Sequence, residues 1–161
     1  MGATYLYRRG HGYLRALSGL LLILIFAVSG CSVTLLARYD AATETMATAL
    51  QRAADDHARL LVTEASPACL QEQHAAFYTG QDADVAALEQ RVAALRKNEQ
   101  TIEQVRSLKA ALDDFQALHG RASARGRCLS PAEVQPAMTG IDSIFAAILQ
   151  MERSKPRNRG A

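Results

Sequence analysis

Three cysteines, Cys31, Cys69 and Cys128, and three histidines, His57, His74 and His119, are the side chains of this 161-residue chain best equipped for chemistry. A thiolate can attack, ligate a metal or form a disulfide, and an imidazole can ligate a metal or move a proton near neutral pH. Zinc sites bring several such ligands together, with pairs at short sequence spacing, and none of the three histidines has a second His at that spacing. The histidines fall on three separate segments, each beside an apolar stripe, which reads as hydrogen-bonded interfacial histidine. A metal or small-molecule site between helices is the alternative, and it requires the three to converge. The acidic neighbours Asp55–Asp56 and Asp113–Asp114 do not face each other on a helix, so they read as solvated faces and not as a catalytic dyad. The chain has no serine in a glycine elbow, no HExxH and no phosphate-cradling glycine loop. The expectation is therefore a protein without enzymatic activity, cofactor or metal.

The surroundings of Cys31 set it apart. Arg8, Arg9 and Arg15 precede an uncharged apolar run, Ala16 to Ser29, and that order of basic, apolar and small residues is the pattern of a secretory signal. The run closes on Val28-Ser29-Gly30-Cys31, which resembles the bacterial lipobox at all four positions. The resemblance implies that residues 1–30 are a cleaved signal peptide and that Cys31 carries a diacylglyceryl group. Residues 31–38 would then be a short tether. Each buried methylene is worth about 0.8 kcal/mol, so two or three acyl chains hold a protein firmly without a spanning helix. An uncleaved signal anchor is the alternative, because Ala16 to Ala37 is free of charge over 22 residues and about 20 suffice to cross a bilayer. Arginines on the N-terminal side would keep that end in the cytoplasm. Either way residues 38–161 are exported. Ser32 stands where an Asp would favour inner-membrane retention in better-studied lipoproteins, so the expected location is the outer membrane, facing the periplasm.

The elements that must position the other candidates are helical. The chain lacks Trp, has only four Phe, and is rich in Ala, Leu, Glu, Gln and Arg, which favours helices packed on helices. Beyond residue 31 it carries 15 Lys and Arg against 16 Asp and Glu, a balance that gives no nucleic-acid footprint. The hydrophobic period there stays near 3.6. A first helix is expected over about Tyr39 to Glu64, with Tyr39, Met46, Leu50, Ala53, His57, Leu60 and Leu61 inward. Ser66-Pro67 suits a cap and first turn, so a second helix is expected over about Pro67 to Lys97, with Gly80 as a kink point. Its stripe is Leu70, His74, Phe77, Val85, Leu88, Val92 and Leu95. Thr101-Ile102-Glu103-Gln104 fits a capping box for a third helix with Ile102, Val105, Leu108, Leu112, Phe115 and Leu118 inward, stopped by Gly120. Ser130-Pro131-Ala132-Glu133 fits another, opening a fourth helix through Val134, Met138, Ile141, Phe145, Ile148 and Met151, with Pro136 able to delay it to about residue 137.

Four helices with short connections predict an all-α, antiparallel up-down-up-down bundle over residues 39–152, after the N-terminal hydrophobic signal helix. In that topology the start of the second helix and the start of the fourth lie at one end, which brings Cys69 and Cys128 together. An exported chain meets an oxidising compartment, so a Cys69–Cys128 disulfide is expected. The fourth helix would finish at the end where the tether begins, leaving residues 153–161 as a disordered basic tail. Its Arg153, Lys155, Arg157 and Arg159 would hang beside the membrane.

From Tyr39 onward the chain carries "YD" at Tyr39-Asp40, "TALQ" at Thr48 to Gln51, "FY" at Phe77-Tyr78 and "KNE" at Lys97 to Glu99. "LSPAEV" at Leu129 to Val134 and "AILQME" at Ala147 to Glu152 follow. With these stretches it resembles a group of small bacterial lipoproteins that have a helical periplasmic domain. The resemblance implies a lipid-anchored helical bundle and brings no activity or catalytic residue with it; the reading of the residues themselves is a bundle that works through an envelope protein partner or through envelope structure, without catalysis.

Overall fold

The computed structural model describes residues 37–157. Four α-helices and one short 3-10 turn make up this part: α1 Ala41–Thr63, the turn Gln71–His74, α2 Ala75–Ala93, α3 Glu99–Ser123 and α4 Pro131–Ser154. Each helix packs on its neighbours in sequence, and α1 also packs on α4. With short connections this is the antiparallel up-down-up-down four-helix bundle that the hydrophobic period predicts. In its core Leu50 and Leu61 of α1, Leu88 and Val92 of α2, Leu108 and Leu112 of α3, and Ile141 and Phe145 of α4 all turn inward and are buried. Each full Leu, Ile or Phe burial is worth about 1.5–3 kcal/mol.

The stripes hold better than their edges. On α1 the inward set includes Thr43, Ala47 and Ala54, whereas Ala53 faces solvent and Leu60 is 44% exposed. Asp40 caps this helix, its carboxylate accepting from the Thr43 amide at 2.9 Å. On α2 the core line runs through Tyr78, Gln81, Val85, Leu88 and Val92, and the helix passes Gly80 without a break.

Three helix ends differ from expectation. Pro67 does not open α2. The Ser66–Pro67 bond is cis, and the chain turns there, with the Cys69 amide on the Ala65 carbonyl and the Leu70 amide on the Pro67 carbonyl. Side-chain partners hold residues 64–74 across the end of the bundle, and α2 starts only at Ala75. Thr101 is not a cap: α3 begins two residues earlier, at Glu99, and Thr101 is buried within its first turn. Gly120 is not a stop. A Cβ there would lie 2.7 Å from the Gln71 side-chain oxygen, so this glycine admits a close approach inside the helix. The stop is Gly126, at φ 66°. The Arg127 amide returns to the Ala122 carbonyl and the Gly126 amide to Ser123, the Schellman pattern.

The start of α4 is as expected. The Ser130 amide and hydroxyl both donate to the Glu133 carboxylate, at 3.0 and 2.8 Å, forming a capping box with Pro131 in the first turn. Pro136 lies inside the helix without delaying it. At the other end α4 runs to Ser154, and the segment expected as a disordered tail is docked as far as Arg157. Arg153 donates to Glu44 at 2.7 Å, Lys155 is buried, and the Arg157 guanidinium lies 4.5 Å from the centre of the Tyr39 ring. Arg159 lies outside the described residues, as do Val28, Ser29, Gly30 and Cys31.

Candidate functional site

The chemistry-bearing side chains gather at one end of the bundle. Cys69, in the loop before the 3-10 turn, and Cys128, just before α4, are joined in a disulfide that closes a separation of 59 residues. Beneath it lie His57 from α1, His74 from the 3-10 turn and His119 from α3. The His57 and His74 rings are 4.9 Å apart centre to centre, and His74 and His119 5.5 Å. The helices bring together three histidines that the sequence leaves on separate segments.

Their nitrogens are largely committed to this chain's own groups. His119 is fully buried, with Nε2 2.7 Å from the Cys69 carbonyl and Nδ1 2.7 Å from the Tyr78 hydroxyl. A carbonyl only accepts, so Nε2 carries the proton; Nδ1 of the neutral ring then accepts from the tyrosine. Burial raises the Tyr78 pKa and so keeps that hydroxyl a donor. Burial also lowers the pKa of His119, opposed by the bond to Cys69 and assisted by His74. His74 Nε2 donates to the Ala68 carbonyl at 2.9 Å and has the Glu64 carboxylate 3.2 Å away. That Glu64 oxygen is buried and outside hydrogen-bonding geometry.

His57 differs from the other two. It is 4% exposed, its ring stacks on Phe77 at 3.6 Å, and its Nε2 is buried without a hydrogen-bond partner. Burial first, then the nearby His74 and His119, push its pKa down to about 3. The ring therefore sits neutral among apolar and aromatic neighbours, as a desolvated imidazole should.

This arrangement is a locked polar core. Both thiols are consumed in the disulfide, and both nitrogens of His119 hold the loop and α2 in place. Among the described residues no three His, Cys, Asp or Glu side chains group in a way that could hold a metal ion. The adjacent carboxylates lie on helix surfaces, Asp56 paired with Arg59 and Asp113 with Lys109 at 2.8 Å.

The opposite end, around Tyr39, is organised by charge. Asp40 is clamped by Arg91, whose Nε lies 2.8 Å away; this pairing, with Thr43 assisting against some desolvation, holds the carboxyl well below the usual carboxylate range. Glu152 is fully buried and accepts from the Asp40 amide at 2.6 Å and from Lys155. Lys155 also reaches the Asn98 side chain at 2.6 Å, and Asn98 donates to the Val92 carbonyl at 2.9 Å. Sequence reasoning missed this network. Its one available signal is the i,i+3 spacing of Glu152 and Lys155 at a helix end, which looks the same as a solvated pair.

Comparison with protein-family models, with curated proteins and with solved structures finds no match to this chain. No helix among the described residues is long and apolar enough to cross a membrane.

Proposed function

We propose that this chain is a lipid-anchored protein of the bacterial envelope, held at the outer membrane and facing the periplasm. Its helical bundle acts by binding another envelope component, without catalysis. The observation that carries this reading is how the cysteines divide. Cys69 and Cys128 are bonded to each other, as suits an oxidising compartment. Cys31, which ends Val28-Ser29-Gly30-Cys31, is left as the thiol available to a lipid. The commitment of the His74 and His119 nitrogens to backbone carbonyls and to Tyr78 favours a structural role over ligand binding for the cluster.

Mass spectrometry of protein extracted from membranes, for wild type and Cys31→Ala, tests the anchor. The expected wild-type product starts at Cys31 and carries an acyl mass that Cys31→Ala lacks. An intact Met1 terminus on the bulk of the protein would defeat lipidation and leave the signal-anchored form. Crosslinking in intact envelopes then reads out the partner; a bundle that gives no protein adduct from any exposed face would remove the interaction reading.

A further inference from the structure

The Tyr39 end of the bundle gathers positive charge around the point where the chain leaves toward Cys31. The Ala37 amide donates to the Lys97 carbonyl at 2.9 Å and the Tyr39 amide to the Pro156 carbonyl at 3.1 Å. The incoming chain is thereby fastened both to the turn between α2 and α3 and to the residues after α4. Segments 37–44, 91–99 and 151–157 meet there, and they carry Arg38, Arg91, Arg96, Lys97, Arg153, Lys155 and Arg157 against Asp40, Glu44, Glu99 and Glu152, a net charge of +3. Three of the four carboxylates are already held by Arg91, Arg153 and Lys155. At the disulfide end, segments 57–74 and 119–133 carry four arginines against three glutamates, a net of +1.

Building on the anchored reading above, we propose that this end is a docking face for anionic phospholipid headgroups. The leash sets the geometry. Ala37 stands six positions after Cys31, and a fully extended chain spans at most about 3.3–3.6 Å per residue, so Ala37 stays within roughly 20 Å of the lipidated cysteine. The Debye length at physiological ionic strength is only about 8 Å. The leash alone therefore leaves room for the bundle to stand off, and charge decides whether the end sits down. Arg96 and Arg157 are exposed, and Arg157 is braced over the Tyr39 ring, so the cations belong to a folded surface and not to a loose tail.

The chain has no tryptophan, so a single introduced Trp reports position. Gln100→Trp marks the Tyr39 end and Ala124→Trp the disulfide end, both at exposed sites. The full-length membrane-extracted protein is placed in phosphatidylcholine vesicles, with or without phosphatidylglycerol, that carry a dansyl headgroup as energy acceptor. The expected result is stronger transfer from Gln100→Trp than from Ala124→Trp when phosphatidylglycerol is present. That excess is lost in high salt, in phosphatidylcholine alone, and in the Arg96→Glu/Arg157→Glu background. Equal transfer from the two probes, or transfer indifferent to phosphatidylglycerol, overturns the proposal. Low transfer combined with an envelope protein crosslink that the same charge reversals abolish overturns it in favour of an acidic protein partner. The mass of the same preparation reads the anchor independently. Protein lacking both the acyl mass and the residues before Cys31 defeats the anchored reading and the docking face with it, whereas anchored protein with lipid-indifferent transfer defeats the docking face alone.

Discussion

The two ends of the bundle solve the same problem with different chemistry. Each must fasten a connecting segment across open helix ends, and each buries polar side chains to do so. At the Tyr39 end the fastening is ionic: Arg91 on Asp40, Arg153 on Glu44, and Lys155 on Glu152. At the other end it is a disulfide with a neutral His–Tyr cluster beneath it. Buried ion pairs fail when one partner is removed, because the remaining charge is stranded. A neutral cluster fails when it is forced to take up charge. The ends should therefore come apart under different insults, and that separation can be tested.

The largest effect is expected from Lys155→Met. It strands the Glu152 carboxylate, fully buried, on the Asp40 amide alone, and breaking such a pair costs about 3–5 kcal/mol. Urea unfolding should show this loss, and Glu152→Gln/Lys155→Met should recover much of it by removing the stranded charge. A single variant within about 1 kcal/mol of wild type would mean that Glu152 finds other compensation and that the Tyr39 end is not held by charge.

Next comes the covalent fastening. Removing the disulfide as Cys69→Ser/Cys128→Ser frees a 59-residue separation and should cost about 4 kcal/mol on the chain-entropy account. Hydrogen exchange should rise first over residues 65–74, while the amides of Ala37, Tyr39 and Asp40 keep their protection. Equal loss at both ends would show that the bundle opens as one unit and that the contrast has no energetic meaning.

Acid should also distinguish the ends. In the folded protein His57 stays neutral down to about pH 3, while an unfolded chain takes up the proton near pH 6.5. Below that pH the unfolded state binds more protons, so stability falls as pH falls, by about 1.4 kcal/mol per unit until the folded pKa is reached. Above pH 6.5 this contribution is flat. His119, also lowered, steepens the same slope. The depressed pKa of Asp40 works in a different window: its contribution is intact above the ordinary carboxylate pKa and is lost only in stronger acid. Between pH 6.5 and about 5 the disulfide end alone should weaken, because Glu44, its carboxyl lowered by Arg153, gives up its contribution only from the ordinary glutamate pKa downward. Unfolding measured across that range should show the slope in wild type and a shallower one in His57→Leu; identical slopes would remove His57 as its source.

Much of the fold was legible because a 3.6 period records which face is buried wherever a helix forms. The disulfide was legible because topology alone decides which connections share an end. The same argument could have joined the histidines, since His57, His74 and His119 all lie within a few turns of that end; reading each against its own stripe hid this. What depends on a particular tertiary partner was not legible. Ser66-Pro67 has the composition of a helix start, yet residues 64–74 gain more from His119, His74 and Ser123 than from an earlier helix. Lys155 sits in a basic run before Pro156 and reads as tail, because nothing local reveals the buried Glu152 and Asn98 that hold it.

Gly120→Ala carries the smallest expected effect and the finest test of how tightly the disulfide end is fitted. Replacing a helical glycine by alanine ordinarily stabilises by about 1 kcal/mol, and Gly140→Ala in α4, where a Cβ meets nothing within 4 Å, should show that gain. At Gly120 the new Cβ would come within 2.7 Å of Gln71 Oε1. The Gln71 side chain must then swing away and lose its 3.1 Å bond to the Gln116 carbonyl, a cost of about 0.5–1.5 kcal/mol that cancels most of the gain. Thermal unfolding should therefore separate two substitutions that helix propensity treats as equal. If Gly120→Ala stabilises as much as Gly140→Ala, the Gln71 side chain moves without cost, and the 3-10 turn is held at this end by the disulfide, the histidines and the Ser123 hydroxyl on the Gln71 amide.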